Sequence, residues 1–206
     1  MEIENITLGG YAANSSLVTE ESDAVLIDCS VEPEVLAARL ARQGATLRAI
    51  LLTHGHYDHY MRIRELRAAY GVPVYLHEDD AGFPGDPILN AYHVFHGVGA
   101  VFPPADVLVR EGDTLTFGAL AFTVIHTPGH TPGSVLYRAG GALFTGDTLM
   151  ACGYGRTTFA GGNTPAMRAS LRRIAALPRD LAIYPGHGEE ASLDVAIRNI
   201  FGNTAF

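Results

Sequence analysis

The chain has 206 residues, 48% of them hydrophobic, enough for one well-buried core and short for two, so residues 1–206 read as a single domain. Net charge is −8 and all 14 basic residues are arginines without a basic run, which excludes the clustered footprint of a nucleic-acid binder and, with no lysine, any Schiff-base or lysine-nucleophile chemistry. No run of about 18 apolar residues and no basic-then-apolar N-terminus occurs, so a soluble, cytoplasmic protein with no membrane partner is expected.

Strand-like segments are predicted at residues 2–8, 14–18 and 23–27, separated by Gly9-Gly10 and by a turn at Glu20-Glu21-Ser22-Asp23. The third runs into Asp28, a charge at the end of an apolar strand, which is either a cap or a partner that orients a ligand histidine. Cys29 and the distant Cys152 make no disulfide framework and read as reduced thiols. Helical spacing over 34–43, with Pro33 at its start and Gly44 at its end, precedes a buried strand at 48–52. That strand delivers Thr53-His54-Gly55-His56-Tyr57-Asp58-His59. With an extended backbone through Gly55, His54 and His56 project to one side. Asp58 and His59 follow in the turn into a helix predicted at 60–70. Four metal-binding side chains within six positions mark a candidate metal site, and one such loop can serve two adjacent metals.

A strand at 74–76 ends at His77, read as a strand-end residue. From 79 to 104 the periodicity fades while Gly, Pro and aromatic residues accumulate, as in a lid or substrate wall. His93 and His96 stand three apart there, but a strand-borne site already has enough ligands without them. Strands are predicted again at 106–109, 114–117, 120–125, 134–138 and 142–145, with turns at Glu111-Gly112-Asp113 and Gly140-Gly141. A helix at 165–176 and a strand at 181–184 close the second half. This order suggests two αβ units stacked with sheets face to face and helices outside. Three more candidates lie just past strand ends or in Gly-rich turns: His130 between two Thr-Pro-Gly turns, Asp147 after Phe144-Thr145-Gly146, and His187 after Tyr184-Pro185-Gly186.

THGHYDH, TPGHTPGS, FTGDTL and YPGHG, in this order and at these separations, resemble the metal motifs of the metallo-β-lactamase superfamily, most closely its small hydrolases similar to glyoxalase II. The resemblance covers nearly the whole chain. It implies an α/β protein with a four-layer αβ/βα sandwich, in which His54, His56 and His130 hold one metal, Asp58, His59 and His187 a second, and Asp147 bridges them. Imidazoles and carboxylates without thiolates suit two Zn²⁺ per chain, with Fe or Mn also possible. The implied activity is that of a dinuclear metal-dependent hydrolase, in which water made acidic by the metals and oriented by the catalytic carboxylates Asp58 and Asp147 attacks the carbonyl of a small acyl substrate. A thiolester of the hydroxyacylglutathione type is the first choice. The alternatives are a mononuclear iron persulfide dioxygenase, which uses a similar motif set, and a lactonase on the same fold.

The chain departs from glyoxalase II where specificity resides. That family adds a helical C-terminal domain, whereas only Glu189 to Phe206 follow His187 here. The segment Cys152 to Asn163 resembles the Gly-Arg-Thr-Asp segment of short bacterial members, but Thr158 stands where Asp is usual. Arg156 is therefore either structural or meets an anionic group of the substrate. Tyr57, interleaved with the ligands, either lines the substrate entrance or shields the metal. His126, four positions before His130, is expected to support a ligand or to be structural. The motifs leave open the metal identity, its occupancy at one or both positions, the natural substrate, the oligomeric state and the role of residues 79–104.

Overall fold

The computed structural model describes residues 1–7 and 12–202. Gly9-Gly10 and the end of the first predicted strand at residue 8 lie outside the described residues. The first sheet takes its six strands in chain order: β1 (Glu2–Ile6), β2 (Ser15–Glu20), β3 (Asp23–Ile27), β4 (Thr46–Leu51), β5 (Val74–His77) and β6 (Val107–Val109). β1 to β3 are antiparallel, and β3 to β6 run parallel. The second sheet holds β7 (Thr114–Phe117), β8 (Leu120–His126), β9 (Val135–Ala139), β10 (Ala142–Gly146), β11 (Ala182–Pro185) and β12 (Ala191–Ser192), ordered β12-β11-β10-β9-β8-β7. Only β10 and β11 are parallel in it.

Strand alternation builds three apolar layers. In β3, Ala24 and Leu26 face the helices α1 (Pro33–Gln43) and α2 (Ile63–Tyr70), against Leu36, Leu40, Ile63 and Leu66. Val25 and Ile27 face the other way and meet Phe122, Val124, Tyr137 and Phe144 of the second sheet. Behind that sheet, Leu136, Leu143 and Ile183 pack on α4 (Thr164–Ala175) and α5 (Leu193–Phe201). Three cores between four layers make the αβ/βα sandwich, with two mixed sheets face to face and helices outside. Phe122 is fully buried in the middle layer, and Phe122→Ala is expected to cost about 3–5 kcal/mol in urea unfolding at fixed metal concentration.

A register shift in β4 places Arg48 outside this alternation: Ala24 pairs with Leu47 and Val25 with Ala49. Arg48 is thereby exposed and bonds Asp23 at 2.5 Å. The helix predicted at 60–70 begins at Ile63, because residues 57–59 form one 3₁₀ turn first. The 79–104 segment holds more structure than its composition suggests, namely 3₁₀ turns at Glu78–Asp80 and Phe83–Gly85 and the short helix α3 (Tyr92–His96). α5, absent from the sequence reading, is capped by Ser192 and buries Leu193, Ala196 and Ile197. No helix among the described residues is long and apolar enough to cross a membrane.

Candidate metal centre

Parallel strands end at the same edge of a sheet, and here both sheets direct their ends to one place. β3 runs out into Asp28 and β4 into the loop carrying His54 to His59, while β10 and β11 release Asp147 and His187 from the opposite sheet. His130 comes from the turn between β8 and β9. All seven candidate residues meet. His56 Nδ1 lies 2.8 Å from His130 Nε2 and 3.2 Å from His54 Nε2. His187 Nε2 lies 3.1 Å from Asp58 Oδ2, which is 3.9 Å from His59 Nε2. Between the two sets stands Asp147, with Oδ2 at 3.5 Å from His130 Nε2 and Oδ1 at 3.4 Å and 3.7 Å from Nε2 of His59 and His187.

The contacts behind the rings decide which nitrogens point inward. His130 Nδ1–H donates to the Arg156 carbonyl at 2.7 Å, and His59 Nδ1–H donates to Asp28 Oδ2 at 2.7 Å, so both turn Nε2 towards the cluster. Asp28, held at φ 56°, also accepts from the Thr53 amide at 2.8 Å and from the Thr53 hydroxyl. It therefore both ends β3 and orients His59. Asn fits the left-handed backbone as readily as Asp does. Asp28→Asn accordingly spares the backbone but removes the charge and turns one acceptor into a donor, with an expected loss of about 10–100-fold in zinc affinity, read by chelator competition.

Burial, then their imidazole neighbours, lower the pKa of His54, and burial followed by His130 takes that of His56 to about 3. Burial also lowers His130, against the opposing pull of Asp147. These three rings are neutral at neutral pH, as metal ligands must be. Burial disfavours charge on His59 too, but Asp28, Asp58 and Asp147 outweigh it and raise its pKa. Burial is likewise outweighed at Asp58 and Asp147, whose carboxyls are held below the ordinary range, chiefly by His59.

The arrangement fits a pair of cations. His56 Nδ1 stands 2.8 Å from His130 Nε2 and 3.2 Å from His54 Nε2, and three imidazole nitrogens this close share one point at which a cation can engage them all. His59 Nε2 and Asp147 Oδ1 are buried without a hydrogen-bond partner, although only 3.4 Å separates them. Ligand atoms of His54, His56 and His130, of His54, His59 and Asp147, and of Asp58, His59 and His187 each lie within 4.8 Å of one another. His77, Asp79 and His126 meet the same distance test, yet the two rings stack at 4.0 Å and 15°, so their in-plane lone pairs run side by side instead of converging. His126 thus stands apart from the ligand rings; its Nε2 bonds the Pro132 carbonyl at 2.7 Å and so steadies the turn after His130.

Beside the cluster lies a cavity of about 390 Å³ whose walls include Tyr57, Phe95, Met150, Tyr154, Arg156 and Phe159. Tyr57 is buried against Tyr92 and Phe95, and its amide donates to the Asn90 carbonyl at 2.9 Å, which ties the 79–104 segment to the ligand loop. The Arg156 guanidinium lies 6.0 Å from the Phe159 ring centroid. Thr158 offers it no carboxylate.

Two residues that sequence reasoning missed hold the loops. Asn14 Nδ2 donates to the carbonyls of Pro185 and Gly188 at 3.0 Å each, and its amide donates to that of Gly186 at 2.7 Å, which encloses His187. Asp80 accepts from the loop around Gly55 and from the turn after His130; burial pushes its carboxyl up to about 6 in spite of those bonds. The signal available for both is a polar residue beside an apolar strand, the same one that marks Asp28.

The hydroxyacylglutathione hydrolase GloC of Haemophilus influenzae is 31% identical over 199 residues, 94% of this chain and 93% of that protein. Among solved structures, the BLEG-1 B3 metallo-beta-lactamase superposes with a TM-score of 0.88 at 35% identity, over 94% of this chain and 95% of its own. TTHA1623, crystallised in a di-iron-bound form, gives 0.83 at 35% identity, over 96% and 98%. The metallo-beta-lactamase superfamily profile matches residues 8–187, a span that takes in all seven converging side chains, and the chain belongs to that superfamily.

Proposed function

We propose that this chain is a dinuclear metal-dependent hydrolase of small acyl substrates, with a thiolester of the hydroxyacylglutathione type as its first substrate. The observation that carries this reading is the position of Asp147, which turns one oxygen to His130 and the other to His59 and His187. His54, His56 and His130 would hold one metal, Asp58, His59 and His187 the other, with Asp147 shared. Zn²⁺ suits these ligands, and the di-iron form of TTHA1623 supports Fe as well. Bound divalent ions supply Lewis acidity, polarising a carbonyl and bringing the pKa of water towards about 7.

The chain's own groups do the rest. Asp58 and Asp147, ionised at neutral pH, accept hydrogen bonds from the attacking water and aim it at the carbonyl. Tyr57, Phe95 and Phe159 form an apolar wall that keeps bulk water from the acyl group. Arg156 is placed on the same wall to meet an anionic end of the substrate. A thiolate, with a free pKa near about 8.5, leaves without a strong general acid. The likeness to a B3 metallo-beta-lactamase favours a second reading, in which the carbonyl belongs to a lactam or lactone ring.

A substrate panel on zinc-loaded protein tests both readings: S-lactoylglutathione, simple acyl thiolesters, lactones and β-lactams. Thiolesters are expected to give the highest kcat/KM, by about 10-fold or more, since differential transition-state binding sets the ratio. A single tightly held iron with oxygen uptake on a glutathione persulfide would overturn the hydrolase assignment.

A further inference from the structure

The loop with His54 and His56 belongs to the first sheet and the turn with His130 to the second, and bonds between the two segments bear on their spacing. Asp80 stands between them, placed by the 3₁₀ turn directly after β5 and fully buried. Its Oδ2 accepts from the Gly55 amide at 2.8 Å and from the Thr131 hydroxyl at 2.7 Å, and its Oδ1 accepts from the Gly133 amide at 2.6 Å. Gly55 separates His54 from His56, and Thr131 follows His130 directly.

Steric fit reinforces the contact: a Cβ on Gly133 would lie 2.6 Å from Asp80 Cγ, so this position is glycine because Asp80 presses on it. The donors to Asp80 are all neutral. An apolar side chain of similar volume would leave the Gly55 and Gly133 amides and the Thr131 hydroxyl buried without this acceptor, a cost that the carboxylate avoids. The carboxylate therefore serves the loops it joins.

We propose that Asp80 is a positioning residue for the His54/His56/His130 position alone, a claim that rests on the metal reading above. It clasps the two segments that carry those imidazoles, and so sets the metal affinity there. The Asp58/His59/His187 position has supports of its own, Asp28 behind His59, which also bonds Thr53 beside His54, and Asn14 around His187.

Asp80→Asn keeps the volume but replaces one acceptor by a donor. With its oxygen towards Gly55 and Thr131, its amide faces the Gly133 N–H, donor against donor; reversed, it opposes the other pair. Zinc per chain and stepwise zinc affinity are to be measured by chelator competition on the full chain. Wild type is expected to bind two zinc ions, and Asp80→Asn to lose about 10–100-fold in affinity for one of them while holding the other unchanged.

Two backgrounds locate the loss. Added to His187→Ala, Asp80→Asn should lower the remaining high-affinity binding by the same factor; added to His130→Ala, it should change nothing further. Equal weakening of both ions, or none in a wild type that binds two, overturns the role of Asp80. A wild type that binds no zinc instead overturns the metal reading itself. If Asp80→Asn does not fold, Thr131→Val, which removes one donor, decides the matter: a smaller loss confined to the same ion supports the clasp, and unaltered or uniform binding sinks it.

Discussion

Replacing Asp147 by Ala is expected to lower kcat/KM on a thiolester by about 10³-fold or more and to take bound zinc below two per chain. The argument is geometric. Its two oxygens face nitrogens from both proposed metal positions, at 3.4–3.7 Å, so the variant removes a ligand from each at once. It also removes the buried negative charge that faces His59, His130 and His187. Asp147→Asn separates the two losses, since it keeps an oxygen and the volume but not the charge. Its zinc content should lie between those of wild type and Asp147→Ala. Circular dichroism establishes that each variant is folded; a folded Asp147→Ala that retains two zinc ions and full turnover would remove Asp147 from the site.

Stripping the metals should lower stability by an amount as large as any core substitution. A ligand held at 1,000 times its Kd adds about 4 kcal/mol to the folded state, so two sites together add about 8 kcal/mol. In a chain of this size each kcal/mol moves Tm by about 2–4 °C, which predicts a fall of about 16–32 °C on chelation. The cluster explains why the apo state is poor: imidazole nitrogens stand 2.8–3.2 Å apart, and His59 Nε2 and Asp147 Oδ1 lack partners. Melts in chelator and in excess zinc measure the difference. Identical Tm values would show that this cluster takes up no ion.

Much of this architecture is legible in the chain itself. The unbroken apolar run Ala24-Val25-Leu26-Ile27 shows a strand covered on both faces, and the Gly-flanked histidines and aspartates after such strands mark the edge where the cluster forms. α5 is equally readable, with Ser192 as cap and Leu193, Ala196 and Ile197 at helical spacing. The order in residues 79–104 was not readable, because it comes from contacts such as the Tyr57 amide on the Asn90 carbonyl, which leave no periodicity. Asn14 and Asp80 were hidden for a related reason. Each bonds peptide groups far along the chain, and any residue offers such a group, so no side-chain pattern announces the pairing.

Asn14 reaches from the first sheet to the loop around His187, as Asp80 reaches to the turn after His130. The seam between the halves is thus latched by the polypeptide itself, and arriving ions would find ligands already gathered instead of a gap to be closed. Little ordering entropy is left for the ions to overcome, so metal exchange can be fast without loss of grip. In evolutionary terms, such a frame could take a different divalent ion and still keep its shape.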